Sequence, residues 1–182
     1  MERIIKAMTP EHRLDSLDFV ETVFREHQDK AEGKLVRRLV EEIREKFFYL
    51  PELELIMTDE TDRLLGYVMF SRFELEGRYG DELLILTPAA VRTELQRQHI
   101  SKELIEYGFQ EAVRLGFRAV LVEGNPRNYR ARGFVTAADH GILPGKTVHL
   151  PHIDCLMVRE LVSGALEHIH GIVEYDCYET LM

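Results

Sequence analysis

The chain has 182 residues, 45% apolar and 30% charged, a balance that suits one soluble globular domain and excludes a disordered or fibrous chain. A net charge of −9 argues against a general nucleic-acid binder, and the longest apolar run, "LLGYVMF" at 64–70, is far too short to cross a bilayer. The opening "MERIIKAMTP" has no apolar core of secretory length, and Cys155 and Cys177 form no Cys-x-x-Cys pattern, so a reducing cytoplasm is the expected setting.

In chain order, "RIIKA" reads as a short first strand. Thr9 ahead of Pro10 and Glu11 reads as an N-cap with proline in the first turn. Leu14, Leu17, Val20 and Phe24 then recur at helical spacing. Leu35, Val36, Leu39, Val40, Ile43 and Phe47 predict a second amphipathic helix on one stripe. After Pro51, "ELELIMT" and "RLLGYVMFSRFEL" read as strands joined by the hairpin-length turn "DETD". "DELLILT" is a third strand whose continuous apolar run predicts burial on both faces.

Next comes a helix with Ile100, Leu104, Tyr107 and Leu115 near one face and Ile105, Phe109 and Ala112 beside them; Gly116 falls where a glycine would stop it. "RAVLVEG" is another buried strand, so strand, helix and strand predict a crossover unit. "YRARGF" reads as one or two helical turns, 135–152 as loop-rich, and "CLMVREL" and "IHGIVEYD" as the last strands. The whole is an α/β chain with a central mixed sheet, expected to form a single domain over 1–182.

Charge is uneven along this order. Residues 92–132 carry eight Lys or Arg against five Asp or Glu, so this island is +3 and the remainder −12. Such an island can attract a small anion without attracting DNA, although solvated helix faces would give the same count. At its start a strand runs through a short loop into a helix, and the first amides of a helix are unpaired and point outward, a ready anion cradle. Cradles of this kind are usually glycine-rich, yet there is no glycine between Val91 and Gly108.

Three motifs, taken in order, resemble the GNAT superfamily of acyl-CoA N-acetyltransferases, especially its small YhbS-like bacterial branch. In "AAVRTELQRQHIS", Gln96 matches the family's leading Gln or Arg, His99 its first glycine and Ser101 its second small residue. "GNPRNYRARGF" matches the branch's turn and Tyr-x-x-x-Gly-Phe at Gly124, Pro126, Tyr129, Gly133 and Phe134, with Asn125 in place of Asp. "CLMVRELVSGALEHIHGIVEY" is similar to the branch's closing strands. The resemblance implies a central, mostly antiparallel twisted sheet flanked by helices, with the strand–helix–strand crossover forming the coenzyme site.

It further implies transfer of acetyl from acetyl-CoA to a primary amine of a small molecule or peptide. Ala89, Ala90 and Val91 would offer backbone groups to the pantetheine arm. Gln96, Arg97, Gln98, His99, Ile100, Ser101 and Lys102 would hold the diphosphate through main-chain amides, with Arg97 and Lys102 adding charge-assisted bonds. Were His99 to need a left-handed backbone, it would be strained where glycine is not. Tyr129 occupies the position of a tyrosine that protonates the departing thiolate; Glu82 and Glu123 are weaker candidates for a base. The absent glycines favour a second reading, a catalytically degenerate acyl-CoA-binding or regulatory module. No membrane or nucleic-acid partner is expected, and a homodimer is. His149, His152, Cys155, His168 and His170 match no closed zinc spacing, so no metal is expected; Cys155 is expected in the core.

Overall fold

A computed structural model describes residues 1–182, which divide into two compact units: 1–70 with 87–111, and 71–86 with 112–182. Two strands, β3 (Leu64–Arg72) and β4 (Leu83–Val91), run through both. The seven strands of the main sheet hydrogen-bond in the order β1-β2-β3-β4-β5-β8-β6.

In the first unit, β1 (Ile4–Ala7) pairs antiparallel with β2 (Glu54–Thr58), and β2 with β3. Asp59 fixes the turn between β2 and β3, its Oδ1 accepting from the Thr61 N–H and hydroxyl and from the Arg63 N–H. Two antiparallel neighbours in sequence, α1 (Arg13–His27) and α2 (Lys30–Arg44), follow β1. Asp29 caps α2, Oδ1 accepting from Glu32 N at 2.8 Å. Thr9 is extended as an N-cap should be, but its hydroxyl meets His12 Nδ1 at 2.7 Å instead of capping.

Two expected stripes are corrected here. Leu14 is 63% exposed, and the buried face of α1 is Ser16, Phe19, Val20 and Val23. The face is rotated because Ser16 joins a buried polar network: its hydroxyl accepts from Arg44 Nη2 at 2.8 Å. Phe47 is exposed because α2 ends at Arg44; Phe48 turns inward in its place. The centre of the network is Glu54, fully buried on β2. Its carboxylate accepts from Arg44 at 2.8 Å, from the Tyr67 hydroxyl at 2.6 Å and from the Tyr49 hydroxyl. A buried carboxylate survives only with such complete pairing.

The long helix α3 (Ile100–Arg114) lies close against β3 because glycine stands at both surfaces. A Cβ at Gly66 would come within 2.7 Å of Leu104 Cδ1, and one at Gly108 within 2.2 Å of Phe70 Cε1. Gly116, at φ 97, ends the helix as expected; the N–H of Phe117 returns to Ala112 O at 2.9 Å.

In the second unit, β5 (Ala119–Glu123) pairs parallel with β4 over Leu83–Ile85, and antiparallel with β8 (Leu156–Glu160), whose other edge pairs with β6 (Val135–Thr136). The single turn α4 (Pro126–Tyr129) follows β5, capped by Asn125 Oδ1 on Arg127 N at 3.0 Å. The last strand, β9 (Gly171–Val173), lies outside the main sheet and pairs in parallel with β7 (Ile142–Pro144). Cys155 is half-buried in a short 3₁₀ turn ahead of β8, not in the core, because the strand, whose first three residues are buried, starts only at Leu156.

Candidate coenzyme site

The chain leaves β4 at Val91 through a 3₁₀ turn, Thr93–Leu95, and enters α3 at Ile100. Along β4, Ala90 is buried, and Ala89 and Val91 are half-buried. Gln96 Nε2 donates to Val91 O at 2.9 Å, so the motif's glutamine ties the loop back to the strand end. Arg97 and His99 then adopt φ of 64° and 65°. These are the left-handed angles that glycine takes without strain and that a side chain resists.

Two left-handed residues on either side of Gln98 turn the main-chain amides outward. The first hydrogen bond of α3 runs from Glu103 N to His99 O at 3.0 Å. The N–H groups of Arg97, Gln98, His99, Ile100 and Lys102 donate to no backbone carbonyl. Around these amides the side chains of Gln96, Arg97, Gln98, His99 and Lys102 are exposed, and only Ile100 is buried, against the missing Cβ of Gly66. Ser101 is half-buried. Amides without backbone partners at the positive end of a fifteen-residue helix are suited to an anion. Arg97 and Lys102 take part in no ion pair, so both cations remain available to it. The segment Gln96–His99 is thus a loop with left-handed backbone at Arg97 and His99 and no glycine, and Ile100–Lys102 open α3 directly after it.

Sequence reasoning missed the frame around this loop. Arg92, counted above in the basic island, points inward: Nε donates to Leu64 O at 2.8 Å, its N–H donates to Leu65 O at 2.9 Å, and its guanidinium lies 5.4 Å from the Phe19 ring centroid. Thr93 Oγ1 donates to Glu26 Oε1 at 2.8 Å, and Arg63 pairs with Glu94 at 2.7 Å. An arginine beside an apolar strand end gave no signal by itself that it would bond to a carbonyl 28 residues away.

In the second unit, Tyr129 closes α4. A Cβ on Gly124 would stand 2.6 Å from Tyr129 Cε2, so glycine at the end of β5 is what admits the ring. Phe134 meets the ring edge-on at a centroid distance of 5.6 Å. Gly133, at φ 85, makes the reversal that brings Phe134 back. The ring is therefore packed under the Gly-Phe turn while the phenol hydroxyl bonds to no protein group. Burial raises its pKa, against a smaller lowering by Arg132, so it stays protonated at neutral pH. A protonated phenol can donate to a thiolate, whose parent thiol titrates near ~8.5.

The two acids weighed as bases are both engaged. Glu123 accepts from the Tyr175 hydroxyl at 2.8 Å, and burial together with Glu123 pushes the Tyr175 phenol up. Glu82, just ahead of β4, pairs with His168 Nε2 at 2.7 Å. His149, His152, His168 and His170 are all exposed, and no group of three His, Cys, Asp or Glu side chains is arranged to hold a metal ion.

The chain is similar to known proteins. The model of the Acetyltransferase (GNAT) family matches residues 18–139, a span that passes through both units. The uncharacterized N-acetyltransferase YhbS of Escherichia coli K12 is 30% identical over 154 residues, covering 83% of this chain and 84% of that protein. The crystal structure of the GNAT family N-acetyltransferase YhbS from Escherichia coli in complex with CoA superposes with a TM-score of 0.80 at 26% identity, covering 96% of this chain and 90% of that one. A GNAT family acetyltransferase from Brucella melitensis in complex with acetyl-CoA shares the fold at a TM-score of 0.61 and 24% identity, over 73% of this chain and 82% of its own. Family model, relative and fold agree: the chain belongs to the GNAT family and is an acyltransferase.

Proposed function

We propose that the chain moves an acetyl group from acetyl-CoA to a primary amine of a small molecule or peptide. The amides of Gln96–Lys102 hold the coenzyme's diphosphate, with charge assistance from Arg97 and Lys102. The backbone of Ala89, Ala90 and Val91 orders the pantetheine arm. The amine attacks the thioester carbonyl; as the C–N bond forms and the C–S bond breaks, Tyr129 gives its proton to the thiolate, and the amine's surplus proton leaves to water. Under this reading residues 1–182 act as one catalytic domain in the cytoplasm, in keeping with two cysteines that form no disulfide.

The observation that carries the reading is the left-handed backbone at Arg97 and His99, directly before the N-terminus of α3. Strain of ~1–3 kcal/mol per residue is retained where the surroundings and the function over-determine it. That CoA occupies the similar Escherichia coli protein supports the same ligand here.

Calorimetric titration with CoA, followed by thiol release from acetyl-CoA over a panel of amines, tests it. The wild type binds CoA and releases thiol with at least one amine. Tyr129→Phe lowers turnover by about 10²-fold, within the range of lost general-acid catalysis, and leaves CoA affinity unchanged. Unchanged turnover in that variant removes the acid role. Binding without thiol release favours the regulatory-module reading, and no binding at all ends the coenzyme assignment.

A further inference from the structure

Three successive contacts tie the segment after β4 to one helix. Arg92 lies over Phe19, Thr93 bonds to Glu26, and the Gln96 amide lies 3.5 Å from the His27 ring nitrogen. Phe19, Glu26 and His27 are spaced seven and eight residues apart, so they share one face of α1. Arg92 is the innermost of these pegs. Its side chain is 27% exposed, and it holds β3 at two consecutive carbonyls, Leu64 and Leu65.

We propose that Arg92 is a positioning residue for coenzyme binding. By pinning the exit of β4 to Phe19 and the start of β3, it sets the angle at which the chain enters the Gln96–Lys102 loop. The proposal rests on the coenzyme reading above and adds to it a residue that touches neither coenzyme nor acceptor. The physical need is specific to this loop. A glycine-rich cradle can relax around its ligand, whereas a loop with side chains at two left-handed positions has few alternative backbones, so its frame must supply the correct one. Guanidinium is the group that can do so here, since it donates to a carbonyl and stacks on a ring at once.

The test compares wild type, Arg92→Met and Arg92→Lys as full-length proteins. Methionine keeps the stem packed on Phe19 and removes the donor; lysine restores a donor without the planar fork. CoA affinity is read by calorimetry, apo stability by thermal melting, and KM for acetyl-CoA against kcat by thiol release with whichever amine the panel identifies. The expected result for Arg92→Met is CoA binding about tenfold weaker and KM raised with kcat held, as uniform loss of binding requires. Lysine should recover part of the affinity. Wild-type affinity in Arg92→Met overturns the proposal, as does a loss that tracks the melting temperature across the three proteins. If the wild type itself binds no CoA, the coenzyme reading fails first, and this inference with it.

Discussion

His99→Gly should stabilise the chain, the reverse of what a glycine does at most positions beside a helix. His99 sits at φ 65 with its imidazole in solvent and no partner to lose. A left-handed backbone costs a side-chain-bearing residue roughly 1–2 kcal/mol. Glycine removes that cost but adds about 0.5–1 kcal/mol of chain entropy to the unfolded state. The central values leave a net gain of about 0.75 kcal/mol within a span of about 0–1.5 kcal/mol, or ~2–3 °C in melting temperature for a chain of this length. Gln98 supplies the internal control, because it lies between the two left-handed residues and is not one of them. Gln98→Gly should lose about 0.5–1 kcal/mol by the entropy term alone. The assay is scanning calorimetry of wild type and both variants without ligand. If His99→Gly melts below wild type by as much as Gln98→Gly, the loop does not hold glycine's conformation under strain, and the reading of it as a cradle loses its support.

Other perturbations have equally definite signs. Gly108→Ala would usually gain stability in a helix interior, but its Cβ would meet the Phe70 ring at 2.2 Å, so a loss of about 1–3 kcal/mol in denaturant unfolding is expected. Glu54→Ala leaves the Arg44 guanidinium buried without its carboxylate and should cost about 3–5 kcal/mol, read from the urea midpoint. Burial first, and Glu54 next, raise the phenols of Tyr49 and Tyr67, and burial raises those of Tyr129 and Tyr175. Raised values mean that their contribution is complete below the unfolded value near ~10 and is lost as pH climbs through the folded ones. Melting temperature should therefore fall between about pH 10 and 12, and fall less steeply in Tyr67→Phe.

Much of this organisation was legible because it is local. Gly116 after the last helical turn and the Asp59 turn each announce themselves within five residues. The order of strand, loop and helix, together with Tyr129 and its Gly-Phe turn, points to the family from sequence alone. What escaped was set by distant partners. Leu14 reads as core until Ser16 is found bonded to Arg44, and Phe47 reads as core until α2 stops at Arg44. The parallel pairing of β9 with β7 joins residues about thirty apart and leaves no periodicity to detect. Arg92 is the clearest case at the site: composition counts it as surface charge, while contacts with Leu64 and Phe19 make it a structural peg. The backbone angles of Arg97 and His99 run against their residue types, so composition alone could pose the question of the missing glycines but not answer it.

Conformational tension at two neighbouring residues also lowers the free energy of local opening around them. Residues 97–102 should therefore be among the first to exchange amide hydrogens with deuterated water, well before the strands beneath them, and a bound di-anion should slow that exchange by drawing on the same N–H groups. The loop would then behave as a spring held by its own side chains and latched by its ligand.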